Sequence, residues 1–216
     1  MSEMITTYML TDPEKAIPMD RGDFYSEQID AYHKTGKPTR AADIIDIFIF
    51  NSDNELMIQK RSYNKAHNPG MLDKSIGGHV RWDDTVDYTV MVETVQELQT
   101  PSIVLRDRKD FQKTYGVLKS YLDTIALVQY GKTGIYELDK SIGGEVIKIA
   151  NRVHCFFGLY DGRVRPVDRE VKGILWYTLC ELDTEMKKFP DTFTYDMHFF
   201  LKEYRSAMED FLKVIG

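Results

Sequence analysis

The chain has 216 residues, a formal net charge of -6, 43% hydrophobic residues and 29% charged ones. That is the composition of a soluble domain with one generous core, and its acidic balance argues against a general nucleic-acid binder. Cys155 and Cys180 are the only cysteines, too few for a disulfide framework in a chain this long, so a reducing compartment fits. The opening residues lack the pattern of a secretion signal, and no stretch approaches the ~20 apolar residues needed to cross a bilayer. A cytoplasmic protein with neither membrane nor nucleic-acid partners is expected.

Along the chain, residues 1–40 read as an N-terminal extension packed on the domain. Asp23 to Lys34 form a short helix stopped by Gly36 and Pro38. Ile44 to Phe50, dense in β-branched and aromatic side chains, reads as a strand, and Leu56 to Gln59 as its hairpin partner. A polar loop over residues 61–74 leads to a short strand at Ser75–Ile76 and a glycine turn carrying His79. A helix then runs from about Thr85 to Gln99, closed by Pro101. At 100° per residue, Met91, Thr94, Val95 and Leu98 share the side expected to face a core. Val86, Thr89, Glu93, Gln96 and Glu97 gather on the side expected to line a cleft. Arg106 to Tyr121 reads as another helix, Asp123 to Tyr130 and Ile149 to Tyr160 as strands. Ile174 to Tyr177 reads as a further strand, and Phe193 to Val214 holds a closing helix. Residues 41–216 thus read as one mixed α/β domain, with an insertion around 106–148 expected to shape the pocket.

The glycine turn and following helix resemble the Nudix box, which runs glycine, five residues, glutamate, seven residues, then Arg-Glu-U-x-Glu-Glu-x-Gly-U, with U aliphatic. Placing its first glycine at Gly78 puts the first acid at Asp84, the Arg-Glu pair at Val92–Glu93 and the paired acids at Gln96–Glu97. The flanks are similar to Nudix proteins related to isopentenyl diphosphate isomerase. Ile58 to Arg61 and Asn68 to Asp73 match the strand and loop before the box, and Asp168 to Val171 with Leu175–Trp176 match a later strand. The resemblance covers roughly residues 40–205. It implies a Nudix-type α/β/α sandwich with mixed sheets and with N-terminal and C-terminal extensions.

The box is degenerate. Val92 cannot pair with Asp84 as the family arginine pairs with the first acid, Gln96 is neutral where an acid binds metal, and Asp84 is shorter than glutamate. Asp84 reads instead as the helix cap. Glu93 and Glu97 remain, at i and i+4, so both can reach one cation. The resemblance implies a divalent-metal-dependent hydrolase of a small-molecule diphosphate, with Mg²⁺ or Mn²⁺ held by Glu93, Glu97 and, more weakly, the Gln96 carbonyl. Magnesium keeps several waters, so two carboxylates suffice when the substrate supplies oxygens. The general base is either helix glutamate or a later acid such as Glu170. Arg61, Lys65 and Lys74 precede the turn as phosphate contacts. His79 follows it as a hydrogen-bond partner for phosphate or a ligand for metal. Gly77 and Gly78 leave room for the diphosphate.

Two further readings stay open. The lost arginine and glutamate suit a catalytically silent Nudix-fold protein that binds a ligand or partner. A prenyl diphosphate isomerase is disfavoured, because Gly77 stands where those enzymes place a cysteine. They also use upstream histidines; His33 lies near that region, but Thr39 occupies the second position. A homodimer through the extension or the insertion is expected.

Overall fold

The computed structural model describes residues 3–65, 67–164 and 171–215. The first forty residues hold more regular structure than the expected helix alone. Strands β1 (Met4–Met9) and β2 (Asp12–Asp20) form a hairpin, followed by helix α1 (Arg21–Thr35). Asp20 caps α1 by accepting from the Gly22 and Asp23 amides, and Gly36 closes it in the left-handed conformation, φ 70°. The hairpin joins the main sheet through β1, which pairs with β3 (Arg40–Phe50).

Strand β3 is the spine. It runs parallel to β9 and antiparallel to β6, and its buried residues fill both faces. A strand covered on both sides needs no polar alternation, which explains its nearly continuous apolar run. The sheet continues with β4 (Glu55–Arg61), β5 (Leu72–Asp73) and β6 (Ile76–His79). After α2 (Val86–Leu98) come β7 (Ser102–Leu105), α3 (Arg108–Leu118) and the long hairpin β8 (Ala126–Ile142) and β9 (Glu145–Leu159). β10 (Val171–Thr178), α4 (Leu179–Lys188) and α5 (Tyr195–Ile215) complete the chain. The main path orders β10-β4-β3-β9-β8-β7. The β3–β9 and β7–β8 pairs are parallel, while β3–β4, β10–β4 and β8–β9 are antiparallel.

Two cores sandwich this mixed sheet, as the α/β/α expectation required. Ile45, Ile47 and Ile49 of β3 pack with Val90 and Leu98 of α2. Ile44, Phe48 and Phe50 point the other way, toward Phe24 of α1, Phe111 of α3, Leu182 of α4 and Phe200 and Tyr204 of α5. Asp46 belongs by alternation to this second face. No helix among the described residues is long and apolar enough to cross a membrane.

The expected faces of α2 are rotated. Its buried residues are Thr89, Val90, Thr94 and Leu98, whereas Met91 is 46% and Val95 52% exposed. The stripe at 90, 94 and 98 steps four residues at a time and turns inward. Glu93 and Glu97, one position earlier, then fall at its edge, where the cleft begins. The cap is also one residue later than expected. Thr85, not Asp84, caps α2, its hydroxyl accepting from the Tyr88 amide at 3.2 Å. Asp84 instead donates its own amide to the Arg81 carbonyl at 3.1 Å, closing the turn before the helix.

Candidate active site

A cleft of about 780 Å³ opens where β4, β6, α2 and the N-terminal segment converge. Glu93, Gln96 and Glu97 line it from α2, Gly77, Gly78 and His79 from β6, and Arg61, Lys65 and Lys74 from the strand and loop before. Nine of the residues singled out from sequence therefore share one cavity. Glu170 lies outside the described residues. The 106–148 insertion contributes less than expected: Lys140 alone from it lines the cleft among the described residues. The N-terminal segment contributes more, through Glu3, Met4, Arg21 and Tyr25.

Glu93 reaches the cleft because position 78 has no side chain. A Cβ there would run into the Glu93 carboxyl group and its Cγ. Gly78→Ala should therefore displace that carboxylate while costing under ~1 kcal/mol of stability, since the clash is with a flexible side-chain end. Displacing a ligating or catalytic group by ~1 Å can cost on the order of 100-fold in rate. Steady-state assay beside urea unfolding of the same variant checks both halves. Glu97 is oriented by a residue that sequence reasoning missed. The Gln59 amide donates to the Glu97 carboxylate and to the Ser75 carbonyl. Gln59 sits on β4 between the apolar Leu56–Ile58 and the charged Lys60–Arg61, where nothing in the local sequence marks it out from an ordinary polar strand residue.

Beneath the glycines lies a buried ionic cluster. The β3–β6 register sets Asp46 opposite Gly77. Lys74 Nζ stands 3.2 Å from Asp46 Oδ1, 3.6 Å from Asp196 Oδ2 and 3.8 Å from Asp73 Oδ1. Burial opposes the Lys74 charge, but Asp46, Asp73 and Asp196 outweigh it and hold the ammonium protonated above its ordinary range. Burial pushes Asp46 up to about 7 against the pull of Lys74. Asp73 is also buried, yet Lys74 and Arg61 bring it down to about 2. Lys74, expected as a phosphate contact, lines the cleft with its ammonium engaged by these three carboxylates. Arg61 is similarly engaged, with Nη1 2.9 Å from Asp73 Oδ2 and with Nε and Nη2 donating to the His67 carbonyl. Its guanidinium braces the loop at the cleft wall.

A layer of rings also lines the cleft. Tyr25 Oη lies 3.3 Å from His79 Nε2, and its ring packs on His67 at 4.5 Å between centroids. Lys140 Nζ sits 5.7 Å from the centroid of the same ring. Burial, reinforced by Arg21 and Lys140, lowers His79 well below the ordinary histidine value. His67 is lowered to about 4 by burial, then by Lys140, Arg21, Arg61 and Lys65. Both rings are therefore neutral at pH 7.

A histidine whose folded pKa is depressed costs stability only when the unfolded chain binds the extra proton. Stability is then lost as pH falls below ~6.5, and the loss levels off near the folded value. For His67 that window ends at about 4. His67→Gln should lose about 1–2 kcal/mol less than the parent across it, after discounting for partial exposure. Urea midpoints at pH 7 and pH 4.5 for both proteins measure the difference.

The carboxylates fit a single small divalent cation only in part. Glu93 and Glu97 supply two hard oxygen donors and Gln96 a neutral one. No group of three or more His, Cys, Asp or Glu suited to a metal ion occurs among the described residues. That donor set matches a magnesium-like ion that keeps water and borrows oxygens from its substrate. It does not match a closed structural site. His33, the upstream histidine of the isomerase reading, is not in the cleft: it pairs with Glu145 at 2.9 Å on the exposed surface.

Comparison with known proteins bears on the family and the fold. Isopentenyl-diphosphate Delta-isomerase of Jannaschia sp. (strain CCS1) is 26% identical over 162 residues, covering 74% of this chain and 77% of that protein. The Serratia proteamaculans (strain 568) protein of the same name is 25% identical over 162 residues, covering 75% and 74%. Among solved structures, DR0079 from Deinococcus radiodurans superposes with a TM-score of 0.54 at 15% identity, covering 75% of this chain and 82% of that one, a likeness of fold. The NUDIX domain model matches residues 40–197, most of the chain, including the box and strands β4 and β6, and the protein belongs to the Nudix family.

Proposed function

We propose that this protein is a divalent-metal-dependent hydrolase of a diphosphate linkage in a small molecule, using Mg²⁺ or Mn²⁺. The observation that carries the reading is the convergence of Glu93 and Glu97, one helical turn apart, on the cleft that Gly77 and Gly78 open. Glu93, Glu97 and Gln96 would hold the cation, which when bound neutralises phosphoryl charge and activates water. The protein's own part is positioning. Gln59 orients Glu97, Gly78 admits Glu93, and Lys65 and His79 meet the phosphates. The water's proton passes to a helix glutamate or to Glu170.

The relatives named as isomerases motivate a second reading, isomerisation of a prenyl diphosphate. Gly77 has no group to move a proton to or from carbon, which opposes it. The degenerate box motivates a third, a silent binding protein. Product release from a panel of nucleotide sugars, nucleoside triphosphates, dinucleotides, coenzyme A and prenyl diphosphates, with and without Mg²⁺ and Mn²⁺, separates them. Metal-dependent release supports the hydrolase. Deuterium uptake into a prenyl diphosphate in heavy water supports the isomerase. Ligand binding with neither outcome supports the silent protein.

A further inference from the structure

Strand β10 ends the sheet. β4 lies on one side of it, and no described residue pairs with the other. The direction of its backbone groups follows from β4. On the β3 side the Asn51 amide donates to the Glu55 carbonyl, and the Ser75 hydroxyl to the Met57 carbonyl. Backbone groups alternate along a strand, so Leu56 and Ile58 turn the other way, to their β10 partners Tyr177 and Leu175. The amides and carbonyls of Ile174 and Trp176 therefore face the open edge. β10 carries no proline, its one charged residue, Lys172, lies at the bulge near its start, and Leu175 is 39% exposed. An unpaired apolar edge of this kind is a template for another strand.

The edge is complementary to itself. In an antiparallel pairing centred on Leu175, Ile174 of each copy falls opposite Trp176 of the other, and the two exchange both backbone bonds. Gly173 falls opposite Tyr177. A Cβ at Gly173 would meet nothing within 4 Å, so the tyrosine ring of the second copy has room to cover it, as aromatic side chains cover strand glycines. Lys172, which is exposed, falls opposite Thr178, whose amide and hydroxyl each hold the Glu181 carboxylate at 2.8 Å. Cation thus meets anion at both ends of the pairing.

We propose that β10 is a homodimer interface, in which two copies of this chain pair antiparallel about a two-fold axis at Leu175 and continue the sheet from one to the other. The surface lies in neither the N-terminal extension nor the 106–148 insertion, and it is independent of what the cleft binds. The matched ring, glycine and charges select a second copy over an unrelated extended segment. A strand pair this short buries less than the ~800 Å² per partner of a standard interface, so the dimer is a weak one.

Sedimentation velocity of the whole protein from ~5 to ~500 µM tests this. The sedimentation coefficient should rise with concentration. Leu175→Lys sets like charges together at the axis and should weaken association at least about tenfold. Lys172→Glu should weaken it about two- to fivefold, and adding Glu181→Lys should restore it to within about twofold. Leu175→Cys in a Cys180→Ser background should form a disulfide-linked dimer under mild oxidation, because Cα atoms opposite each other at that position stand ~4.5 Å apart. Circular dichroism confirms that each variant folds, and the cysteine variant carries the test if loss of the Glu181 cap unfolds the charge swap. A monomer at every concentration overturns the proposal and leaves the edge to an extended segment of another protein. A dimer that Leu175→Lys leaves intact, or a Leu175→Cys protein that does not cross-link, overturns it as well.

Discussion

Glu97→Gln should lower kcat for metal-dependent diphosphate hydrolysis by about 100- to 1,000-fold, the range seen when one preorganised electrostatic group is removed from an active site. Glutamine keeps the size and an oxygen donor but loses the charge. Gln59 already donates to this carboxylate, so the substituted amide can keep its orientation by offering its own oxygen. The loss therefore measures charge rather than shape. Few acids remain to compensate, because Gln96 is neutral and no three-acid group suited to metal occurs among the described residues. Raising Mg²⁺ should recover part of the activity if the variant chiefly weakens cation binding. Steady-state kinetics across a Mg²⁺ titration, for parent and variant on the substrate found in the panel, gives both numbers. Unchanged kcat would remove Glu97 from the mechanism. Glu93→Gln, whose carboxyl lies over Gly78, should behave alike.

Lys74→Met should destabilise the fold by about 3–5 kcal/mol at pH 7, the cost of stripping one partner from a buried ionic group. The parent ammonium stands within 4 Å of three carboxylates. Methionine matches its length and leaves Asp46, Asp73 and Asp196 facing one another without it, with Arg61 still paired to Asp73. The pH dependence has a definite sign. Asp46 is already raised to about 7 beside Lys74, and losing the ammonium raises it further. An acid raised in the folded state binds more protons folded than unfolded, so the penalty grows as pH rises above the unfolded value. Below pH 7 the folded Asp46 is protonated in both proteins, so the difference between variant and parent that it contributes should be small there and grow as pH rises above about 7. Adding Asp46→Asn to Lys74→Met should return part of the loss, because the two sites share one interaction. Urea unfolding of the four proteins closes that cycle. A loss under ~1 kcal/mol, or one independent of pH, would show that solvent reaches the cluster.

The strands and helices that sequence identified correctly were those whose signal is local. The apolar run of β3, the glycine turn and the α2 helix are written in consecutive residues, and so is the i, i+4 spacing of Glu93 and Glu97. The β1–β2 hairpin escaped notice because its residues are largely exposed on β2 and polar. Its strand character comes from pairing with β3, a partner more than thirty residues away. The rotation of α2 was likewise invisible. Met91 and Val95 are as apolar as the buried residues, and only the position of the sheet decides which stripe turns inward.

Sequence by itself determined the fold family, the helix that carries the acids and the glycines that give them room, because each of these rests on spacing along the chain. The tertiary structure decided which charges meet. Lys74 and Arg61, expected as phosphate contacts, have Asp46 from β3, Asp73 from β5 and Asp196 from α5 brought around them by folding. Coulomb interactions act through space between residues as much as 150 positions apart, and no local pattern records them.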